Sequence, residues 1–375
     1  MKVLVAPDKF RGSFDSRRVA ELLAEGVRRA FPRASVTTIP LADGGEGTLE
    51  VLRRIDPGEE EATVVPGPLG DPVTARWLRR PDGVAVLESA QVVGLDLVPP
   101  DRRDPLRAGT EGLGALLLHC LESGCRRFLI GLGGTATVDG GAGMARALGY
   151  RFLDERGRVI GTGEDWSGLR RIDPSGADPR IQAEEVTALC DVSTPLLGPG
   201  GAARRFGPQK GASPAQVARL ERRLEVLARA VEKDLRIEVG SLPMGGAAGG
   251  LGAGIAAFLR GRLTSGADFV LDRSGFDAAL AGADLVLTGE GRLDAGTAEG
   301  KAVYAVLERC RRRRVPVVIV CGEEGDHPFR EVRVLDRRSL FRKAAGGRLG
   351  EVDLRVLGAR AAAEFSGQNP KERTR

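Results

Sequence analysis

The sequence predicts an α/β protein with two domains, in which a second α/β domain is inserted into a parallel-sheet, Rossmann-like domain built from both chain ends. Its 375 residues exceed the usual size of one compact core. Near both ends, short apolar strands lead into glycine-rich loops with carboxylates, whereas the middle has strands between proline and glycine turns. We expect residues 1–59 and 266–366 to form the discontinuous domain, residues 60–265 the inserted domain, and residues 367–375 a flexible tail.

The first 55 residues predict a strand, a helix, a strand and a helix, which opens a parallel sheet. The strands are expected at residues 3–6 and 35–39, the first helix after an N-cap at Asp15 or Ser16, and the second helix from Leu49. The loops after the two strands carry Asp8, Lys9, Asp43 and Glu46. Because ligands of open α/β sheets bind at the carboxyl ends of the strands, we expect these side chains to face a ligand.

The middle of the chain contains the longest glycine-rich loop, residues 131–143, which reads GLGGTATVDGGAG. Strands are expected at residues 62–65, 73–78, 84–87, 128–130 and 186–190, with a hairpin pairing residues 150–153 with Val159. Helices are expected at residues 107–123, 144–148 and 255–259, and after a capping box formed by Ser213 and Gln216. A strand, a glycine loop and a helix in this order present backbone N–H groups to an anion.

The last part of the chain returns to the opening pattern. Strands are expected at residues 285–288, 317–321 and 331–335, with residues 289–294 as a glycine-rich loop. Helices are expected at residues 276–280, from about Lys301, and at residues 354–365.

Composition excludes several classes of protein. The net charge of +5 and the pI of about 9.1 come from basic residues scattered among 51 acidic ones, so a nucleic-acid partner is not expected. No apolar run is long enough to span a membrane, and the start has no secretory pattern, so we expect a cytoplasmic protein. Five cysteines without a CxxC motif argue against disulfides and zinc. Only seven basic residues are lysines, and three of them, Lys9, Lys210 and Lys301, stand in loop motifs.

The loops repeat one combination of carboxylate, glycine and cation, which is the inventory that phosphoryl transfer needs. Backbone N–H groups of residues 133–141 would cradle phosphates, cations would neutralise them, and carboxylates would hold Mg²⁺. Asp139 has an equally good interpretation as a turn-capping residue. Residues 131–136 and 252–257 formally match the GxGxxA dinucleotide pattern, with Asp154 about 20 residues after the first match. An NAD-dependent oxidoreductase and a non-catalytic phospholigand-binding protein are therefore the alternatives.

Six segments together resemble the bacterial type I glycerate kinases. They are VLVAPDKFRGSFDS, PLADGGEGT, GLGGTATVDGGAGMARALGYRFLD, LCDVSTPLLGPGGAARRFGPQKGA, GGAAGGLGAG and ADLVLTGEGRLDAGTAEGKA. The resemblance runs in unbroken order from Met1 to about Gly322 and fades beyond Glu323. It implies two α/β domains and ATP- and Mg²⁺-dependent phosphorylation of D-glycerate, usually to 2-phosphoglycerate. The family often has Lys where Arg11 stands and Asn where Val138 stands.

We expect the site to lie in the cleft between the two domains. Catalytic roles are predicted for Asp191, as the proton acceptor, and for Lys210 and Asp43. ATP is expected to contact Gly133, Gly134, Thr135, Gly140, Gly141 and Lys301. Glycerate is expected to contact Asp8, Lys9, Arg11 and Arg292, and Mg²⁺ is expected to bind Asp43, Glu46 and Asp294. The residues alone do not decide which carboxylate is the base and which holds the metal, and they give no oligomeric state.

Overall fold

A computed structural model describes residues 1–161, 166–182, 185–299, 301–336 and 349–368. Within these ranges the strands are β1 (Lys2–Val5), β2 (Ser35–Thr38), β3 (Glu59–Pro66), β4 (Pro72–Arg79), β5 (Val84–Glu88), β6 (Arg127–Leu132), β7 (Arg151–Leu153), β8 (Arg171–Asp173), β9 (Glu185–Cys190), β10 (Arg262–Ser265), β11 (Leu285–Leu293), β12 (Val317–Glu324) and β13 (Arg333–Leu335). The helices are α1 (Ser16–Ala30), α2 (Thr48–Ile55), α3 (Ser89–Val93), α4 (Glu111–Glu122), α5 (Ala142–Ala147), α6 (Pro179–Gln182), α7 (Ala202–Phe206), α8 (Pro214–Leu235), α9 (Ala247–Phe258), α10 (Gly266–Arg273), α11 (Phe276–Leu280), α12 (Ala302–Arg313) and α13 (Glu351–Gln368).

The chain divides into two compact units. Unit 1 comprises Met1–Asp43 and Ala267–Arg375, and unit 2 comprises Gly44–Gly266. The first division falls after Asp43, whereas the sequence pattern placed it at residue 59. The physical reason is helix α2, whose Leu49 and Leu52 are buried and whose Leu49 N–H donates a 2.6 Å hydrogen bond to Glu88 of unit 2. Residues 369–375, most of the predicted tail, lie outside the described residues, and α13 includes residues 367–368.

Unit 1 is built on a parallel five-stranded sheet in the order β13-β12-β11-β1-β2. One face buries Val3, Val5 and Val320 together with apolar residues of α1 and α13. The other face buries Ile319 and Cys321 with residues of α12. Because alternate residues of a strand point to opposite faces, a continuous apolar strand such as β12 needs helices on both sides.

Unit 2 is built on a six-stranded sheet in the order β10-β9-β6-β5-β4-β3. Strands β5, β6, β9 and β10 are parallel to one another, and β3 and β4 pair antiparallel at one edge. The mixed α/β class expected from the sequence is therefore confirmed. The predicted capping box is also present, since Ser213 Oγ accepts from Gln216 N and Ser213 N donates back to the Gln216 side chain at the start of α8.

Three local predictions differ from the structure. Residues 289–293, predicted as a loop, continue strand β11, because they pair with β12 as far as Leu293 and Glu324. A side chain at Gly289 would lie 1.9 Å from the Val320 carbonyl oxygen, so glycine permits this close pairing. The predicted hairpin is reduced to one bridge between Leu153 and Val159, and β7 pairs instead with β8, which the sequence pattern did not indicate. Strand β10 and helix α10 were likewise not predicted.

Candidate active site

Three carboxylates gather at the carboxyl ends of the central strands of unit 1. We call Asp8, Asp43 and Glu290 the acidic group. Asp8 follows β1, Asp43 lies on the segment after β2, and Glu290 is in the last part of β11, and all three are buried. Strand β1 pairs with both β2 and β11, so the topology brings these positions to one edge of the sheet.

Burial and mutual repulsion perturb the acidic group. Burial raises the pKa of Asp8 to about 7, the positive charge of Lys9 opposes this shift, and the charges of Asp43 and Glu290 add to it. Burial also raises the pKa of Glu290, which Lys301 and a hydrogen bond from Thr297 oppose. The negative charges of Asp43 and Glu290 thus disfavour the ionised form of Asp8, and a bound cation would relieve this repulsion.

Two of the rare lysines flank the acidic group. Lys9 Nζ lies 3.5 Å from Asp43 Oδ1, and Lys301 Nζ lies 3.5 Å from Glu290 Oε2. The Thr297 hydroxyl donates a 2.6 Å hydrogen bond to Glu290 Oε1. Two of the three lysines that stand in loop motifs therefore lie beside carboxylates in unit 1.

Four further predicted site residues lie at more open positions. Arg11, Glu46 and Arg292 are exposed, and Glu46 belongs to unit 2. Asp294 Oδ1 accepts from Gly296 N at 3.0 Å, and its Oδ2 lies 3.4 Å from Arg292 Nε. Among the described residues, no group of three or more His, Cys, Asp or Glu could hold a metal ion by itself.

The anion position at the start of α5 in unit 2 is occupied by a carboxylate of the chain. We call residues 131–143 the central glycine loop. Asp139 Oδ1 accepts from Gly141 N at 3.1 Å, and its Oδ2 accepts from Gly143 N at 3.0 Å. Thr110 adds two bonds to Oδ2, from its N–H at 2.9 Å and from its hydroxyl at 2.8 Å. The contacts of Asp139 are therefore those of a turn-capping residue.

Other N–H groups of the central glycine loop are also paired. Gly140 N donates to the Gly249 carbonyl oxygen at 3.2 Å, and Gly133 N donates to Ser89 Oγ at 3.3 Å. A phosphate could bind the predicted cradle at Gly133, Gly140 and Gly141 only if these bonds broke. Gly140 has φ +63°, and a Cβ there would lie 2.5 Å from Leu227 Cδ2, so packing alone requires glycine.

Lys210 is buried against the same loop. Its Nζ donates to Thr135 Oγ1 at 3.0 Å and to the Thr137 carbonyl oxygen at 2.7 Å. Burial lowers the pKa of Lys210 to about 7, and the negative charge of Asp139 partly offsets this shift. A Cβ at Gly249 would lie 1.9 Å from the Thr137 oxygen and 3.0 Å from Nζ, so only glycine fits there.

Asp191 directly follows β9 and is half-buried. The end of β9 pairs with the end of β6, at Cys190 and Leu132, so Asp191 lies on the sheet edge from which the central glycine loop departs. A Cβ at Gly44 would lie 2.5 Å from the Leu189 carbonyl oxygen, which places Gly44 against this edge as well. Unit 2 therefore brings two of the predicted glycine loops and Asp191 together.

The structure adds residues that the motifs did not single out. Thr110 precedes α4 and resembles an ordinary capping residue in the sequence, and its bond to Asp139 spans 29 positions. Glu88 ends β5 and caps α2 through Leu49. The rule that functional groups follow parallel strands could have identified Glu88, because it stands at such an end. No local signal indicates Thr110.

The geometry does not favour a dinucleotide site at the two GxGxxA matches. In the first match, helix α5 begins only at Ala142, several residues after the motif. The second match lies within α9 rather than at a turn between a strand and a helix. Asp154 accepts from the N–H groups of Arg156 and Arg158 in a local turn.

Every helix in the described part of the chain is too short or too polar to cross a bilayer.

Comparison with known proteins agrees with this geometry. The model of the glycerate kinase family matches residues 3–343. A glycerate kinase of Halalkalibacterium halodurans is 44% identical over 325 residues, covering 86% of each chain. The glycerate 2-kinase of Escherichia coli is 42% identical over 328 residues, covering 87% of this chain and 86% of the relative.

A solved structure supports the same relationship. It comes from Salmonella typhimurium LT2, is assigned as a glycerate kinase 2, and superposes with a TM-score of 0.79 at 38% identity over 98% of both chains. The fold and these relatives define the protein as a kinase, a phosphotransferase built from α/β units. The chain belongs to the glycerate kinase family.

Proposed function

We propose that the chain transfers the γ-phosphoryl group of ATP to the 2-hydroxyl of D-glycerate, giving 2-phosphoglycerate and ADP, with Mg²⁺ as cofactor. The choice of product is supported by the relative from Escherichia coli, whose name is glycerate 2-kinase. The observation that carries the proposal is the acidic group of unit 1 with Lys9 and Lys301 beside it. Carboxylates and ammonium groups at one strand edge suit a nucleotide phosphate with its metal ion.

The acidic group fits Mg²⁺ in the chemistry of its donors. Mg²⁺ prefers hard oxygen ligands and is usually held by one or two carboxylates together with substrate phosphates, so a full protein cage is not required. We assign Asp43 as one ligand, as the sequence pattern does, with Asp8 and Glu290 as the carboxylates best placed to share the role. Glu46 and Asp294 remain weaker candidates, because Glu46 is exposed and lies in unit 2, and Asp294 is only partly buried. Mg²⁺ bound there would offset negative charge on the transferring group.

Asp191 is the residue that we assign as general base. The glycerate hydroxyl oxygen forms a bond to the γ-phosphorus, the bond to the bridging oxygen of ADP breaks, and the hydroxyl proton passes to the carboxylate. Asp43 is the rival, but its place in the buried acidic group suits the metal better. Asp191 stands at the end of a parallel strand, half-buried, where a substrate hydroxyl can approach.

Cationic and small residues complete the assignment. We assign Lys301 to the ATP phosphates, and Gly134 and Thr135 to the nucleotide side of the central glycine loop. We assign Arg11 and Arg292 to the carboxylate of glycerate. Both guanidinium groups are exposed, and their parallel N–H donors match the two oxygen atoms of a carboxylate. The Lys210 ammonium group already donates to two oxygen atoms of the central glycine loop, and these hydrogen bonds fix its position. The five buried, free cysteines suit a reducing compartment, and we place the reaction in the cytoplasm.

The proposal is tested by ADP release from purified protein with ATP, Mg²⁺ and D-glycerate. Release should require all three, and L-glycerate serves as the matched control for the acceptor. Addition of enolase alone should convert the product to phosphoenolpyruvate. If enolase acts only after phosphoglycerate mutase is added, the phosphoryl group is on the 3-hydroxyl and the proposed position is wrong. If ATP is consumed equally without glycerate, the acceptor is wrong.

A further inference from the structure

Thr297 joins the turn after β11 to a carboxylate of the acidic group. Its side chain is fully buried, and its hydroxyl donates a 2.6 Å hydrogen bond to Glu290 Oε1, seven residues earlier in the chain. The same hydroxyl oxygen accepts from Asp294 N at 3.2 Å. Because the Asp294 N–H already points at this oxygen, the single hydroxyl proton is directed at the carboxylate.

Other contacts fix the backbone at both ends of this hydrogen bond. Glu290 pairs with Cys321 of β12, and the pairing continues to Leu293, so the strand extends beyond the carboxylate. Thr297 N donates to the Asp294 carbonyl oxygen at 3.0 Å, which closes the turn that follows the strand. A paired strand and a closed turn therefore carry the Thr297 hydroxyl to Glu290.

The two oxygens of Glu290 have different partners. Oε1 receives the Thr297 hydroxyl, whereas Oε2 lies 3.5 Å from Lys301 Nζ. Thr297 and Lys301 belong to the same segment between β11 and α12, and Lys301 is the residue directly before the helix. Since a short hydrogen bond occupies Oε1, the oxygen that faces a cation is Oε2.

We propose that Thr297 is a positioning residue for Glu290: its hydroxyl holds Oε1, and this keeps Oε2 turned towards a cation. That cation is the Lys301 ammonium group in the structure and Mg²⁺ in the proposed reaction. The inference rests on the proposed function for the role of Mg²⁺, whereas the contacts all lie within unit 1. Hydrogen-bond partners of metal-ligating carboxylates orient the ligand, and their removal weakens metal binding by about 10- to 100-fold.

The direct test is Mn²⁺ binding to the protein after treatment with a chelator, with and without ADP. Mn²⁺ suits the same oxygen ligands as Mg²⁺, and the electron paramagnetic resonance signal of the free ion reports how much remains unbound. Thr297→Val keeps the shape and removes the hydroxyl, so the dissociation constant for Mn²⁺ should rise by about tenfold. Thr297→Ser, which keeps the hydroxyl, should restore it. An unchanged constant in Thr297→Val, or no recovery in Thr297→Ser, would overturn the proposal.

The matched control is Thr288→Val. Thr288 is buried on the same strand, and its hydroxyl donates a 2.8 Å hydrogen bond to the Ala6 carbonyl oxygen. Its loss removes a comparable bond that ends on a backbone oxygen rather than on a carboxylate. The melting temperature should therefore fall and the Mn²⁺ constant should stay the same. If Thr288→Val weakens Mn²⁺ binding as much as Thr297→Val does, the effect is a general loosening of the strand and the proposal is wrong.

A double-mutant cycle with Glu290→Gln shows whether Thr297 acts through that carboxylate. If it does, Thr297→Val should add little to the loss of Mn²⁺ affinity that Glu290→Gln already causes. Equal losses in the two backgrounds would mean that Thr297 acts through the turn at Asp294, and this result would also overturn the proposal. Thr297→Ala removes the hydroxyl without adding a methyl group and answers the same questions if Thr297→Val does not fold.

Mn²⁺ binding needs no turnover, so this inference and the proposed function fail separately. Weaker Mn²⁺ binding in Thr297→Val, in a protein that does not phosphorylate glycerate, would refute the proposed function and leave the inference standing. Phosphorylation of glycerate by a protein whose Mn²⁺ constant ignores the hydroxyl would do the reverse. If the unsubstituted protein binds no Mn²⁺ with or without ADP, the inference and the metal assignment are overturned together.

Discussion

The carboxylate of Glu88 accepts a 2.6 Å hydrogen bond from the backbone N–H of Leu49, so α2 begins at an anion that the protein supplies. Asp139 does the same at the start of α5. A glycine loop before a helix is usually read as a phosphate site, because unpaired N–H groups and the helix dipole favour an anion. In these two loops an internal carboxylate has that place, which is why we propose Lys301 rather than these N–H groups for the ATP phosphates.

Gly140→Ala should destabilise unit 2 without changing substrate affinity. The new Cβ would lie 2.5 Å from Leu227 Cδ2 at a residue with φ +63°. Overpacking costs about 1–3 kcal/mol and the left-handed conformation about 1 kcal/mol more. The measurement is the melting temperature together with the KM for ATP and for glycerate. Gly83→Ala is the control, since its φ is +78° and nothing lies within 4 Å of its Cβ, so only the smaller conformational cost remains. A raised KM with normal stability in Gly140→Ala would instead place a ligand at this loop.

Stability should depend on pH through Lys210. Burial lowers its pKa from 10.5 to about 7, so between these values the unfolded chain binds more protons than the folded chain. The free energy of unfolding contributed by this residue therefore rises with pH across that window, by at most about 1.4 kcal/mol per pH unit. We expect the melting temperature of the unsubstituted protein, relative to that of Lys210→Met, to rise from pH 7 to pH 9. Parallel curves for the two proteins would show that Lys210 titrates normally.

Glu290→Gln should raise the Mg²⁺ concentration needed for half-maximal activity, by about tenfold, because one carboxylate of the acidic group is lost. The matched control is Glu46→Gln, which removes an exposed carboxylate in unit 2. The measurement is activity against Mg²⁺ concentration at saturating ATP and glycerate. A large shift in Glu46→Gln with none in Glu290→Gln would return the metal site to the ligands predicted from the motifs.

Asp191→Asn should lower kcat by at least ~10²-fold while ATP binding is retained, because the amide keeps the shape and cannot accept the proton. ATP affinity, measured by calorimetry, separates the two effects. Asp154→Asn is the control, since that carboxylate serves a local turn. If Asp191→Asn turns over normally and Asp43→Asn does not, the base and metal roles are exchanged.

Much of the fold was predictable because parallel strands are apolar on both faces and end in polar loops. That pattern located β1, β6, β9 and β12 to within three residues at either end. It failed at residues 289–293, where glycines resemble a loop and only the pairing with β12 reveals a strand. It also grouped α2 with residues 1–59, whereas the compact unit that begins at Gly44 includes this helix; which strand the face of a helix packs against is not visible in the sequence.

The candidate site was predictable in its residue types and less so in its contacts. Lys9, Asp43 and Lys301 were selected from strand ends and rare lysines, and they do lie beside carboxylates. The pairing of the glycine N–H groups could not be predicted, since it depends on Ser89, Thr110 and Gly249, which are distant in sequence. A loop motif indicates that backbone approaches something closely, and the partner is set by the tertiary fold.

The proposed reaction is the transfer of the phosphoryl group from ATP to the 2-hydroxyl of D-glycerate. Phosphorus NMR of the reaction mixture without proton decoupling tests it in one spectrum. We predict a product signal split into a doublet, because phosphorus on the 2-oxygen couples to the single proton of C2. A triplet from the two protons of C3, or no new organic phosphate signal while ATP and glycerate persist, would contradict the account.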